Sequence, residues 1–369
     1  MSRLDDLINE YCPEGVEYKR LSEITNLSAG KRITKEMMND NLEYDVYGGG
    51  VQPTGKYSKY NEMHSITISR AGSAGFVNWV EDKFWATDVC FVASELCEEY
   101  NIKFIYYYVK NQQTELQKHI YGGNLPKLNK DYLWNLLVPV PPLPVQEEIV
   151  RILDTFTELT TKLNNELTLE LTLRKKQYEY YRDGLLKFGE EVEIYNLADI
   201  TDIVRGKRVV RSQLSENEGY PVYQNSMVPL GYYDQYNVSK DTTFIIAAGA
   251  AGEIGYSYNK FWAADDCFYF KCDDRLIDRY LYHSLMNKQD EIKRRVRKAS
   301  IPRISRESIE KIKIPLPSLK IQERIVYVLD YFDKVCNDLN IGLPAEIEAR
   351  NKQYEYYRDQ LLNMKEWTE

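Results

Sequence analysis

The sequence predicts an α+β chain built as a tandem pair of globular modules, each followed by a long helical region, the two coiled-coil helices running antiparallel about a pseudo-twofold. Three observations carry this. KKQYEYYRDGLL from Lys175 recurs as NKQYEYYRDQLL from Asn351 with ten of twelve positions identical, and the same offset of 176 recovers matches through most of the 369 residues, the mark of a duplicated unit. Short apolar runs punctuated by glycine recur in both halves, as strands do. Apolar residues then step by four and three over several turns in each half, as a helical seam does. The boundaries follow: 1–144 for the first globular part with a short N-terminal helix, 145–188 for the central helical region, 189–320 for the second globular part and 321–369 for the distal helical region.

In chain order, HSITISRAG, GFVNWV and DVCFVAS read as strands, and DTTFIIAAG, EIGYSY and DCFYFKC are their counterparts. One inserted residue near Asp241 moves the offset to 177, so that Gly72 and Gly75 meet Gly249 and Gly252, and Phe84-Trp85-Ala86 meets Phe261-Trp262-Ala263; by Pro126 and Pro302 it is 176 again. Helices are expected over 102–119 and 275–296. The runs VPVPPLP at 138–144 and IPLPSL at 314–319 mark the exits from the globular parts. The seam comes next: Val145, Ile149, Ile152, Phe156, Leu159 and Leu163, matched by Ile321, Ile325, Val328, Phe332, Val335 and Leu339. A stutter at Leu167 precedes Leu171, Arg174, Tyr178, Tyr181 and Leu185. A continuous helix over 145–186 would be about 60 Å long at ~1.5 Å per residue. In the second copy Gly342-Leu343-Pro344 interrupts the same place and predicts a kink or break. A lone helix with an apolar stripe needs a partner, and the simplest partner for each is the other.

Between these anchors the copies diverge, as in GGGVQPTGKY from Gly48 against NSMVPLGYYD from Asn225. A common scaffold with divergent loops suits two different targets, whereas two near-identical helical surfaces suit two copies of one partner. Modules related by a twofold also suit duplex DNA, whose backbones share that symmetry. The opening LINEYCPEGVEYKRLSEI, the Gly30-Lys31-Arg32 and Gly206-Lys207-Arg208 loops, the LPVQEEIVRILD junction and the KQYEYYRD segments resemble the specificity subunit of type I restriction and modification enzymes. The resemblance covers essentially the whole chain. It implies that each globular part is a target recognition domain reading one half of a bipartite double-stranded DNA target, while the helices set the spacing and dock two methylation subunits. It also implies a non-catalytic chain that restriction subunits join through the complex, with S-adenosylmethionine, ATP and magnesium confined to partner subunits. In that family tetrapeptide repeats in the central helix adjust the spacer. Here Glu166-Leu-Thr-Leu is followed at once by Glu170-Leu-Thr-Leu, with no matching repeat in the second copy. One such unit adds about 6 Å of helix, roughly two base-pair steps.

A net charge of −8 argues against a freestanding DNA binder, yet local runs are basic. Residues 292–306 carry Lys293, Arg294, Arg295, Arg297, Lys298, Arg303 and Arg306 without one acid, and Arg205, Lys207, Arg208 and Arg211 form a second run. The matching first-module cations are Lys31, Arg32, Lys35, Lys118, Lys127 and Lys130. For 292–306 DNA contact is preferred over a solvated helix end; for the Gly-Lys-Arg loops DNA contact and exposed charge beside a turn glycine stand equal. Tyr47 and Tyr223 lie beside the divergent loops, and core packing is preferred over contact with sugar or base edges. Arg70 has Ala247 opposite it; bidentate pairing to guanine and an ordinary surface ion pair stand equal. Tyr178, Tyr180, Tyr181 and Arg182, with Tyr354, Tyr356, Tyr357 and Arg358, are candidates for docking methylation subunits. For Tyr178, Tyr181, Tyr354 and Tyr357 a plain helix-to-helix seam is the alternative.

Enzyme motifs are rejected. Gly50-Val-Gln-Pro-Thr-Gly55-Lys56 has P-loop spacing, but Tyr57 stands where a magnesium ligand is needed. His64, His119 and His283 are unmatched between copies, and the NPPY and DPPF motifs of amino methyltransferases are absent. The six cysteines lack metal-ligand spacing and are expected to be reduced core thiols. Neither a signal pattern nor a membrane span is found, so the cytoplasm is the expected location. A protein scaffold binding peptides or glycans is the remaining alternative.

Overall fold

The computed structural model describes residues 3–337 and 342–366. The chain divides into two compact units, Met1–Asn165 with Glu348–Glu369, and Glu166–Ile347. Each unit holds one globular part and two stretches of long helix.

In the first unit a short helix α1 (Arg3–Tyr11) precedes strands β1 (Thr25–Ala29), β2 (Ser65–Ser69), β3 (Val77–Val80) and β4 (Cys90–Glu95). They form an antiparallel sheet in the order β1-β4-β2-β3, registered by Leu27 opposite Ala93, Thr67 opposite Val92 and Ile68 opposite Val77. Alternate side chains leave opposite faces of a strand. Ile66, Ile68, Phe91 and Ala93 therefore enter one core with Phe104 and Ile105 of helix α2 (Ile102–Asn111), while Val92 enters a second core with Phe84 and Ala86. All of β2 is buried, which matches its continuous SITIS run. A smaller sheet adds Tyr44–Tyr47, paired antiparallel to Lys56–Tyr57 and parallel to Phe84–Ala86.

The second unit repeats the plan with β5 (Thr201–Arg205), β6 (Thr242–Ile246), β7 (Ile254–Ser257) and β8 (Cys267–Cys272) in the order β5-β8-β6-β7, and helix α4 (Asp278–Asn287). The insertion near Asp241 falls at a turn whose residue has positive φ in both copies, +43° at His64 and +58° at Asp241. Both expected helices are shorter than the sequence suggests. Each breaks, after Asn111 and after Asn287, into a second short helix, Gln113–Lys118 and Gln289–Arg294. The break lets the Gln113 side chain accept the Val77 N–H at 3.0 Å. The cysteines also depart from expectation: Cys12, Cys90, Cys267 and Cys336 are buried, but Cys97 is exposed and Cys272 only half-buried.

Helix α3 (Leu143–Leu185) is continuous over 43 residues. Its counterpart is interrupted, as helix α5 (Leu319–Asn337) and helix α6 (Leu343–Leu362), with Pro344 in the first turn of α6, where a missing N–H costs nothing. Leu339, placed in the seam by its spacing, lies outside the described residues. The opening turns of α3 and α5 do not form a helix-to-helix seam. Val145, Ile149 and Leu153 are fully buried in the globular core of the first unit, and Ile325 and Leu329 in that of the second. Helix pairing starts later. In the first unit Phe156 stacks on Tyr357 at 5.9 Å, Thr157 Oγ1 lies 3.0 Å from the Tyr354 hydroxyl, and Asn164 donates to Asn351 at 2.7 Å, so α3 and α6 run antiparallel. In the second unit Tyr181 stacks on Phe332 of α5 at 5.4 Å.

Each unit closes through one repeated hydrogen bond. Val192 N–H donates to Gly189 O at 3.4 Å within a tight turn, and its counterpart Val16 N–H donates to Lys365 O at 3.0 Å across most of the chain.

Candidate nucleic-acid interface

In both units the loops that carry the basic and divergent residues are tied together by matching backbone bonds. Gly30 N–H donates to Cys90 O and Lys31 N–H to Ala86 O, while Trp85 Nε1–H donates to Lys31 O at 2.9 Å. Gly206, Lys207 and Trp262 repeat the set on Cys267, Ala263 and Lys207. A Cβ on Gly30 would sit 2.3 Å from Ala86 O and one on Gly206 2.2 Å from Ala264 O, so only glycine permits this approach. Lys31, Arg32, Lys207 and Arg208 are left exposed on a backbone that cannot swing.

A second tie joins three loops. Gly72 N–H donates to Pro126 O and Ser73 N–H to Gly49 O; in the other unit Gly249 N–H donates to Pro302 O and Ala250 N–H to Asn225 O. Gly72 and Gly249 have φ near +80°, at +84° and +81°, conformations in which a side chain is strained. The 48–55 loop, the 70–75 turn and the 121–127 hairpin thus form one surface, matched by 224–231, 247–252 and 297–303. The side chains on it differ: Tyr121-Gly-Gly-Asn-Leu-Pro-Lys127 against Arg297-Lys-Ala-Ser-Ile-Pro-Arg303.

Arg70 lies on this surface with its guanidinium donating to Asp88 O at 3.2 Å and resting 5.6 Å from the Phe91 ring. Its positional counterpart is an alanine, yet Arg205, from the end of β5, donates to Asp265 O at 2.7 Å, and Asp265 is the counterpart of Asp88. Each unit therefore delivers a guanidinium to the same turn carbonyl from a different strand. Spacing alone, which pairs Arg70 with Ala247, misses this. Lys127 and Lys130 are exposed on and beside the hairpin, with Lys130 over the Trp134 ring at 4.9 Å. Arg211 is exposed beside Val228 in an open cleft of about 570 Å³.

The 292–306 run splits. Arg294, Arg297, Lys298 and Arg303 are exposed, and Arg297 and Arg303 pair their backbones to close the hairpin. Arg295 is engaged elsewhere, with Glu291 at 2.5 Å and Ser308 O at 3.0 Å, and Arg306 pairs with Glu310. Tyr47 packs edge-on against Phe84 at 5.4 Å, and Tyr223 lies 4.6 Å from Phe244; burial raises both hydroxyls above the usual phenol range. Their rings belong to the packing beneath the loops.

The helical candidates also divide. The Tyr178 hydroxyl meets His283 Nδ1 at 3.3 Å, and Tyr181, Tyr354 and Tyr357 face the neighbouring helix. Arg182 and Arg358 pair with the adjacent Asp183 and Asp359. Tyr180 and Tyr356 stand in solvent at 76% and 60% exposure. Sequence spacing overlooked two further clusters. Gln146 accepts Asn101 N–H and donates to Glu99 O and Pro141 O, and Gln322 repeats this on Ile277, Arg275 and Pro317. Behind them Lys103 and Tyr107 bind Asp154, where the second unit has Arg279 and His283 on Asp330. The repeated Gln-Glu-x-Ile-Val motif was the signal available for the first.

Residues 13–173 and 189–349 each match the family described as the type I restriction modification DNA specificity domain. The chain belongs to this family. Two such domains in tandem fit recognition of a bipartite target. Among family members, a Haemophilus influenzae protein provisionally named a type I restriction enzyme specificity subunit is 32% identical, over 94% of this chain and 95% of its own length. The specificity subunit of the Escherichia coli type I restriction enzyme EcoR124I/EcoR124II is 30% identical, with 94% of each chain covered. The crystal structure of the type I system S subunit of M. genitalium shares the fold, with a TM-score of 0.61 over 94% of this chain and 96% of that one at 20% identity. Among the described residues no helix is long and apolar enough to cross a membrane, and no cluster of three or more His, Cys, Asp or Glu is placed to hold a metal ion.

Proposed function

We propose that this specificity subunit is non-catalytic and that each unit reads one half-site through its tied loops. Lys31, Arg32, Arg70, Lys127 and Lys130 serve one half-site; Arg205, Lys207, Arg208, Arg211, Arg294, Arg297, Lys298 and Arg303 serve the other. The observation that carries this is the pairing of a repeated backbone scaffold with unlike side chains on its surface. Tyr180 and Tyr356, repeated and exposed, dock two methylation subunits, through which restriction subunits join. Methyl transfer and cleavage, with S-adenosylmethionine, ATP and magnesium, belong to those partners, and the complex works in the cytoplasm.

The test is methylation mapping of a genome in cells expressing the chain with its cognate methylation subunit. A single split motif with methylated adenines in both halves supports the reading. Absence of new methylation in cells where the complex is confirmed overturns it.

A further inference from the structure

The two units differ in what covers the opening turns of their long helices. In the first unit α1 lies there: Leu4, Leu7 and Ile8 join the core that holds Val145 and Ile149, and Arg3 approaches Glu148 at 3.5 Å. Val145 is fully buried and Glu148 is 3% exposed. Among the described residues the second unit has no counterpart of α1, because the residues matched to it by offset are the closing turns of α3. The equivalent face of α5 is open to solvent. Ile321, which replaces Val145, is 45% exposed, and Arg324, which replaces Glu148, is exposed as well. Farther along α5, Val328 and the 66% exposed Tyr331 continue the stripe. Ile321, Arg324, Val328 and Tyr331 step by three, four and three, the spacing of a helix-docking face.

We infer that this stripe of α5 receives a short amphipathic helix from a partner protein, seated as α1 is seated in the first unit, with a carboxylate against Arg324. The occupant of the matching place shows that a helix of this size fits there. Glu148 is held chiefly by Arg151 at 2.7 Å, with Arg3 beside it; the charge is reversed at Arg324, which favours a helix carrying an acid where α1 carries Arg3. A like charge at such a contact is disfavoured, which weighs against α1 of a second copy. Among the described residues one unit has the open face, so one such partner binds per chain.

The test uses the full chain and two labelled peptides stapled as helices: the α1 sequence Arg3–Tyr11, and the same sequence with Arg3→Glu. Fluorescence anisotropy should show the Arg3→Glu peptide binding about tenfold more tightly, and Arg324→Glu in the chain should invert that order. Ile321→Asp should abolish binding of both while the circular dichroism spectrum stays unchanged. Failure of the Arg3→Glu peptide to bind, or a preference that survives Arg324→Glu, overturns the inference. Self-association of the chain that Ile321→Asp abolishes would assign the face to a second copy and overturn it too. None of these readouts involves DNA, so they stand or fall apart from the recognition role.

Discussion

Gln146 and Gln322 are buried side chains whose amide oxygen and nitrogen both bond to backbone groups, some 45 residues earlier or just before the helix. Replacing either by leucine leaves an N–H and two carbonyls without partners. Gln322→Leu should therefore lower stability by about 1–3 kcal/mol per unsatisfied group at the upper bound, measured as the urea midpoint of the second unit. Gly206→Ala forces a methyl group to within 2.2 Å of Ala264 O and should cost about 1–3 kcal/mol. In the assembled enzyme it should also weaken methylation of one half-site class, since Lys207 and Arg208 move with that backbone. Repetition made both residues visible in the sequence, but not their tasks. Gln322 bonds to segments that spacing does not bring near, and Arg205 and Arg70 reach equivalent carbonyls from positions that do not align.

The strands and the long helices were legible because short apolar runs between glycines and a four-three spacing leave plain patterns. The parallel pairing of Tyr44–Tyr47 with Phe84–Ala86 was not, since it joins segments about 40 residues apart with nothing local to announce it. Spacing assigns the opening turns of α3 to the helical seam, yet Leu153 rather than Ile152 is fully buried there, facing the globular core. At that junction the copies use different chemistry. Arg279 binds Asp330 and Asp333 at 2.6 Å each; burial alone would raise Asp330, and the His283 hydrogen bond and the Arg279 charge outweigh it, holding the carboxyl below its ordinary value. Burial holds His283 below the ordinary imidazole range, opposed in part by Asp330. As pH falls below about 6.5 the unfolded chain therefore takes up that proton first, and the second unit loses stability down to the folded value. Asp278 acts in the other sense: burial raises it to about 6, so its contribution is present in acid and is lost as pH rises through that value. His283→Tyr, which installs the residue of the first copy, isolates the imidazole. The variant should gain on wild type steadily from pH 7 to pH 5 in thermal melts; two parallel curves would show that His283 does not titrate in that window.

For the molecule as a whole, recognition by two unlike surfaces makes separable predictions. Replacing Arg297, Lys298 and Arg303 by glutamine should weaken DNA binding by the assembled complex and lower its salt slope by about 0.9 for each phosphate that is no longer neutralised, with the other half of the target unaltered. A third Glu-Leu-Thr-Leu unit after Leu173 should lengthen the spacer in the methylated motif by roughly two base pairs, read by the same genome mapping. A further consequence lies in the order of synthesis. The first unit is assembled from residues on both sides of the second, and the bond from Val16 to Lys365 can form only when the distal segment has left the ribosome. At about 5–20 residues per second the intervening stretch takes roughly 10–40 s to translate. For that interval Phe156 and Leu159 on the nascent chain lack α6; the second unit, complete at Ile347, can then close before the end of α6 is made, so any stall in the last helix leaves a chain with one finished half and one open half.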